Sequence, residues 1–174
     1  DEVPFGQAHP QVGVIPESAA IAISQGAQTA IDQIDLDAWA VATGLAGNIA
    51  IPFVKQLTAI VKQNDEEAAR YVHWGATSQD ILDTARILQC RAALQQVESL
   101  IHQCYRTALT QAEQYRSQVM IGRTWLQQGL PITLGHKLAR WASAFHRDLA
   151  RIEAMKARVF TVQLGGAVGS LASL

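Results

Sequence analysis

Charge of one sign is missing from this chain: 14 basic and 15 acidic residues leave a net charge of −1, scattered along the sequence. Without a basic stripe, nothing points to a nucleic-acid partner or a membrane surface. Long hydrophobic runs are missing too. No apolar stretch approaches the roughly 18 residues of a membrane span, and no signal-peptide pattern is read at the start. Cysteine is scarce. Cys90 and Cys104, if both lie on one helix, stand roughly 21 Å apart along its axis, beyond disulfide reach. Both are expected as reduced thiols in a reducing compartment, which makes the cytoplasm the expected location. No CxxC, HExxH or close His/Cys cluster occurs, so no metal site is expected. Nucleotide-loop glycine patterns are absent as well. Aromatics make up only 6% of the chain, whereas Ala, Leu, Gln and Arg are plentiful, a balance that favours helix.

What is present is a helical pattern punctuated by polar turns. Residues 1–15 read as irregular. Pro16-Glu17 suits the first turn of a helix running to about Ile31. A second helix follows over Asp35–Ala46, with Asp35 as N-cap and Gly44 and Gly47 closing it. A third covers Asn48–Gln63, interrupted early by Pro52, and the acids of 64–67 open a short fourth. Thr77-Ser78-Gln79-Asp80 has capping-box spacing and opens the element that organises the rest. That helix runs to about Ser117, roughly 40 residues and on the order of 60 Å. A 174-residue globule is only about 40 Å across, so this helix must pack along partners, some of them from other chains. Gly122 and Gly129 break the pattern over 119–130. Pro131 is read as starting another long helix to about Arg158, and a glycine-rich loop covers 163–170. Ending in apolar sequence at Leu174, the chain is read as a fragment or the ordered part of a longer protein.

Three stretches, 72–80, 122–129 and 163–170, interrupt the helices with glycine and small polar groups. Helix ends offer free N–H groups and a dipole that favours an anion. Thr77 and Ser78 add hydroxyls, and glycines let backbone approach a ligand, so together they suggest a carboxylate pocket. Each feature alone has a plainer reading. Thr77-Ser78 is a helix cap, His73 a structural histidine, Trp125 core packing, Arg123 a surface or helix-end charge and Gly165-Gly166 a turn. The charges on 98–116 and 147–158 are expected as solvated faces or ion pairs.

The conjunction is more specific. His73-Trp74-Gly75-Ala76-Thr77-Ser78-Gln79-Asp80, then Gly122-Arg123-Thr124-Trp125-Leu126-Gln127 with Pro131, Thr133 and Gly135, then Gly165-Gly166-Ala167-Val168-Gly169, resembles the fumarase/aspartase superfamily. The resemblance implies an all-α fold, with a small helical domain over 1–76 and the first part of a long-helix bundle over 77–174. It implies a homotetramer whose active sites are each built from three chains. The substrate would be a small polycarboxylate, cleaved or joined beta to a carboxylate through an aci-carboxylate, with no metal or organic cofactor. By that pattern His73 and Ser78 are catalytic, while Thr77, Arg123, Thr124, Trp125, Gln127 and Gly166 bind substrate.

Two departures narrow the reaction. Most lyases of the superfamily carry a proton-transferring histidine where this chain has Trp125, and Asn48 falls near another such position. Tryptophan exchanges no proton at neutral pH. A branch that lactonises its substrate fits, because the nucleophile there is the substrate's own ionised carboxylate. The alternatives are an adenylosuccinate-type C–N lyase and a non-catalytic helical scaffold. The superfamily's proton-transfer serine loop is expected beyond Leu174, so these residues alone are expected to be inactive.

Overall fold

The computed structural model describes residues 13–172 and Leu174; most of the irregular reading over 1–15 lies outside the described residues. The chain divides into two compact units. One holds the described residues up to Thr84 together with Val162–Leu174, the other Ala85–Thr161. No helix among the described residues is long and apolar enough to cross a membrane.

The first unit contains α1 (Glu17–Gln33), α2 (Leu36–Ala46), α3 (Ala50–Asn64) and a 3₁₀ turn at Ala68–Tyr71. Its core is made of small residues. Ala19, Val61, Ala68 and Ala69 are buried together, with Ile23, Leu57 and Tyr71 packed around them. Gly26 sets the approach of α1 to α3: a Cβ there would lie 2.6 Å from Val61 Cγ2, and Val61 has no exposed surface.

Asp35 is the N-cap the sequence indicates, its Oδ1 accepting the Ala38 N–H at 2.9 Å. The Gln56 amide holds the same residue from α3, accepting the Asp35 N–H at 3.0 Å and donating to its carbonyl at 3.2 Å. Asp35→Ala is expected to cost about 1 kcal/mol, read as a lower urea midpoint at unchanged slope; an unchanged midpoint would remove the cap from the account. Gly47 ends α2 in the left-handed region at φ 64°, whereas Gly44 lies inside the helix. Pro52 does not interrupt α3. It sits buried in the first turn, where its missing N–H would have had no intrahelical partner. The acids at 64–67 open only the 3₁₀ turn, with Asp65 accepting the Ala68 N–H at 2.8 Å.

The division between the units falls inside α4 (Ser78–Gln114), a helix of 37 residues, about 55 Å long. Along it Leu88, Val97, Leu100 and Leu109 keep 44–59% of their surface exposed. Cys90 and Cys104 both lie on α4 as free thiols.

In the second unit the sequence reading needs correction. Residues 119–133 are not a simple break but an antiparallel hairpin, β1 (Val119–Thr124) with β2 (Gln127–Thr133). Pro131 starts no helix; it lies in β2 opposite Ile121. The next helix, α5 (Leu134–Val159), is capped by Thr133, whose hydroxyl accepts the His136 N–H at 3.0 Å. The body of the fold is nonetheless helical. Lys156 on α5 bridges Glu98 of α4 at 2.9 Å and Glu153 at 2.8 Å. The end of α4 and the start of α5 are stitched by Leu134 N–H to Gln118 and Gly135 N–H to Tyr115, at 2.9 and 3.0 Å.

Candidate functional site

In the first unit, the start of α4 and the glycine-rich loop meet around one buried carboxylate. Asp80 is 1% exposed. Its Oδ2 accepts the Thr77 N–H at 2.9 Å and the Gly166 N–H at 3.0 Å, and its Oδ1 accepts the Gly165 N–H at 2.8 Å. The capping-box partner read from the sequence therefore also clasps a loop 85 residues away. Burial pushes the Asp80 carboxyl up, but the bonds from Thr77, Gly165 and Gly166, with the charge of His73, outweigh it and hold it below the usual carboxylate range. Gly166 has φ 72° and is buried, and a Cβ on it would stand 3.1 Å from the Gly75 carbonyl. Its N–H is committed to Asp80, so the loop's first polar partner is the protein's own carboxylate.

Thr77 and Ser78 are half-buried at the first turn of α4. The Asn48 amide, between α2 and α3, donates to Ser78 Oγ at 3.1 Å. His73 lies just upstream with φ 63°, a left-handed conformation unusual outside glycine. Burial lowers its pKa and the Asp80 charge only partly offsets this, which leaves a neutral imidazole at pH 7. His73 also lines a largely apolar cavity of about 400 Å³ with Phe53, Leu57, Trp74 and Ile81.

The other predicted residues belong to the second unit. Arg123 pairs with Gln128 and Thr124 with Gln127 in the hairpin. Trp125 and Leu126 form its two-residue turn at φ 52° and 63°, the pattern of a type I′ turn. Trp125 is not core: it is 94% exposed and Leu126 is 102% exposed. Beside the strands, Arg123 lines an open cleft of about 640 Å³ with Lys137, Arg140 and Arg147 of α5, and among the described residues no acidic side chain lines it. Lys137 stands 5.5 Å from the Trp141 ring centre.

The sequence reading singles out neither Lys137 nor Arg140, and it treats Arg147 as part of a solvated or ion-paired face. Their spacing of three and seven residues was a usable signal of one basic helix face. It also missed the parts played by Asn48 and Asp80, which depend on contacts distant in sequence. Among the described residues, no cluster of three or more His, Cys, Asp or Glu able to hold a metal occurs.

A family model described as "Lyase" matches residues 4–174. The chain is 76% identical over 173 residues to the 3-carboxy-cis,cis-muconate cycloisomerase of Acinetobacter baylyi, covering 99% of this chain and 38% of that protein. A crystal structure of beta-carboxy-cis,cis-muconate cycloisomerase from Acinetobacter calcoaceticus superposes with a TM-score of 0.95 at 76% identity, over 97% of this chain and 39% of that one. The 3-carboxy-cis,cis-muconate lactonizing enzyme of Pseudomonas putida does so with 0.92 at 41% identity, over 97% and 38%. The chain thus spans about two fifths of the length of the relatives it matches. It carries the ordered polar motifs and long helices described above along nearly the whole of the matched region, and it belongs to the lyase family.

Proposed function

We propose that the full-length protein carrying these residues is a 3-carboxy-cis,cis-muconate cycloisomerase, forming 4-carboxymuconolactone in the protocatechuate branch of the β-ketoadipate pathway. The observation that carries this reading is the 76% identity to such an enzyme across 99% of the chain. In the reaction one substrate carboxylate adds to the double-bond carbon beta to a second carboxylate. The electron pair moves onto that second group as an aci-carboxylate, and a proton is then delivered to its alpha carbon. The nucleophile is ionised from the start, so no protein base need activate it.

The proposed roles follow from the chemistry available. Thr77 and Ser78 bind a substrate carboxylate at the start of α4, where free N–H groups and the helix dipole favour negative charge. His73, neutral at pH 7, contacts the substrate as a hydrogen-bond donor. Arg123, Thr124, Trp125 and Gln127 form a hairpin wall of a site assembled from different subunits of the tetramer, and Gly166 lets the loop close against the helix start. A substrate with three carboxylates calls for cations, and the cleft holding Arg123, Lys137, Arg140 and Arg147 supports that choice. The exposed indole of Trp125 offers apolar surface and no proton. The reaction draws on no metal or organic cofactor. A homotetramer is the proposed assembly, supported by the exposed apolar residues along α4. The cytoplasm is the proposed location, supported by the two exposed free thiols.

An ultraviolet assay of the full-length protein tests the reading. Lactonisation destroys the conjugated diene, so absorbance is expected to fall with 3-carboxy-cis,cis-muconate and not with adenylosuccinate. Turnover of adenylosuccinate alone, or of neither compound by a folded protein, would overturn it.

A further inference from the structure

We propose that Asn48 is a positioning residue that fixes the direction of the Ser78 hydroxyl proton and thereby commits Ser78 to donating towards a substrate carboxylate. The inference rests on the cycloisomerase reading and deepens it. Its basis is an inventory of donors and acceptors. Asn48 Oδ1 accepts the Ala50 N–H at 2.8 Å. That bond orients the amide, because the flipped amide would set NH₂ against N–H. The opposite end, Nδ2, then faces Ser78 Oγ at 3.1 Å. An amide NH₂ only donates, so Ser78 Oγ accepts there and its single proton must leave in another direction. Among the described residues no acceptor for that proton is found.

Asn48 is itself held on both sides. Gly47 precedes it with φ 64°, closing α2, and the Trp39 indole donates to the Ile49 carbonyl at 2.9 Å. Ser78 is the first residue of α4. The proton is therefore directed away from Asn48, at a helix N-terminus where backbone donors favour an anion. A freely rotating hydroxyl would lose part of its binding energy to ordering.

The test is a double-mutant cycle in the full-length protein, measuring KM and kcat for 3-carboxy-cis,cis-muconate in wild type, Asn48→Ser, Ser78→Ala and the double variant. Serine at 48 keeps a short acceptor for the Ala50 N–H but does not reach Ser78. With Ser78 present, Asn48→Ser is expected to raise KM about tenfold, within the range of a charge-assisted hydrogen bond; kcat should change little, as for lost uniform binding. In the Ser78→Ala background the same substitution is expected to leave KM unchanged or, where turnover is lost, to leave unchanged the dissociation constant of the lactone product measured by calorimetry in all four proteins. A merely structural cap would affect both backgrounds equally. Asn48→Asp is the companion variant: its carboxylate accepts the Ser78 proton, turns the donor inward and raises KM beyond Asn48→Ser. Equal effects in both backgrounds, no effect of Asn48→Ser, or Asn48→Asp binding as well as wild type would each overturn the inference alone. Wild type inactive on the muconate would overturn the functional reading and the inference together.

Discussion

Asp80→Asn is expected to lower the stability of the protein by about 3 kcal/mol at pH 7, the cost of leaving one or two buried N–H groups without an acceptor. The carboxylate now uses both oxygens, Oδ1 for Gly165 and Oδ2 for Thr77 and Gly166. Asparagine has one oxygen, so whichever way it turns, its NH₂ faces a backbone N–H. The pH dependence separates this from ordinary packing loss. The folded-state pKa of Asp80 is depressed. Its contribution is therefore complete above the unfolded carboxylate value of about 4 and is lost as pH falls through the folded pKa. Urea unfolding should show a gap between wild type and Asp80→Asn that is constant from pH 8 to about 5 and closes in more acidic solution. A gap that stays the same down to the acid limit would mean that Asp80 is not the ionised acceptor described.

Gly135→Ala is expected to destabilise by a similar amount, about 3 kcal/mol, at the upper end of overpacking costs. The start of α5 rests directly on the end of α4. A Cβ at 135 would collide with the Ala112 carbonyl and stand 2.6 Å from Arg116 Cα and 2.9 Å from its nitrogen. All three are backbone atoms, so no side-chain rotation relieves the contact. Helix propensity alone predicts the opposite sign, since alanine is better than glycine in a helix by about 1 kcal/mol. The direction of the shift in the urea midpoint decides between them. A stabilised Gly135→Ala variant would show that α4 and α5 do not approach this closely.

The helices were legible because their signals are local. Asp35 and Asp65 sit where their carboxylates meet an N–H three residues on, and the apolar spacing after Thr77 follows the helical period. The errors arose where one residue type serves two structures. Pro52 and Pro131 both suit a first helical turn; Pro52 occupies one, while Pro131 lies in the β-hairpin, a two-stranded sheet with free edges that tolerate proline. The hairpin itself carried no warning, because its turn uses Trp125 and Leu126 in left-handed conformations that Asn-Gly normally takes. At the site, Thr77, Ser78 and Asp80 could be read as a cap. What binds Asp80 and what orients Ser78 could not, since Gly165 and Asn48 are 85 and 30 residues away from them.

That separation has a consequence for how the pocket is made. The clasp between Asp80 and Gly165–Gly166 closes a loop of 85 residues, at an entropic cost of about 4 kcal/mol before any contact repays it. The helices and hairpin between them form from contacts much closer in sequence and bear no such charge on their formation. During synthesis at 5–20 residues per second, Thr77 and Ser78 leave the ribosome roughly 4–17 s before the glycines that complete their surroundings. For that interval the start of α4 exists without the loop that covers it, and Asp80 cannot be clasped until Gly165 and Gly166 have been made.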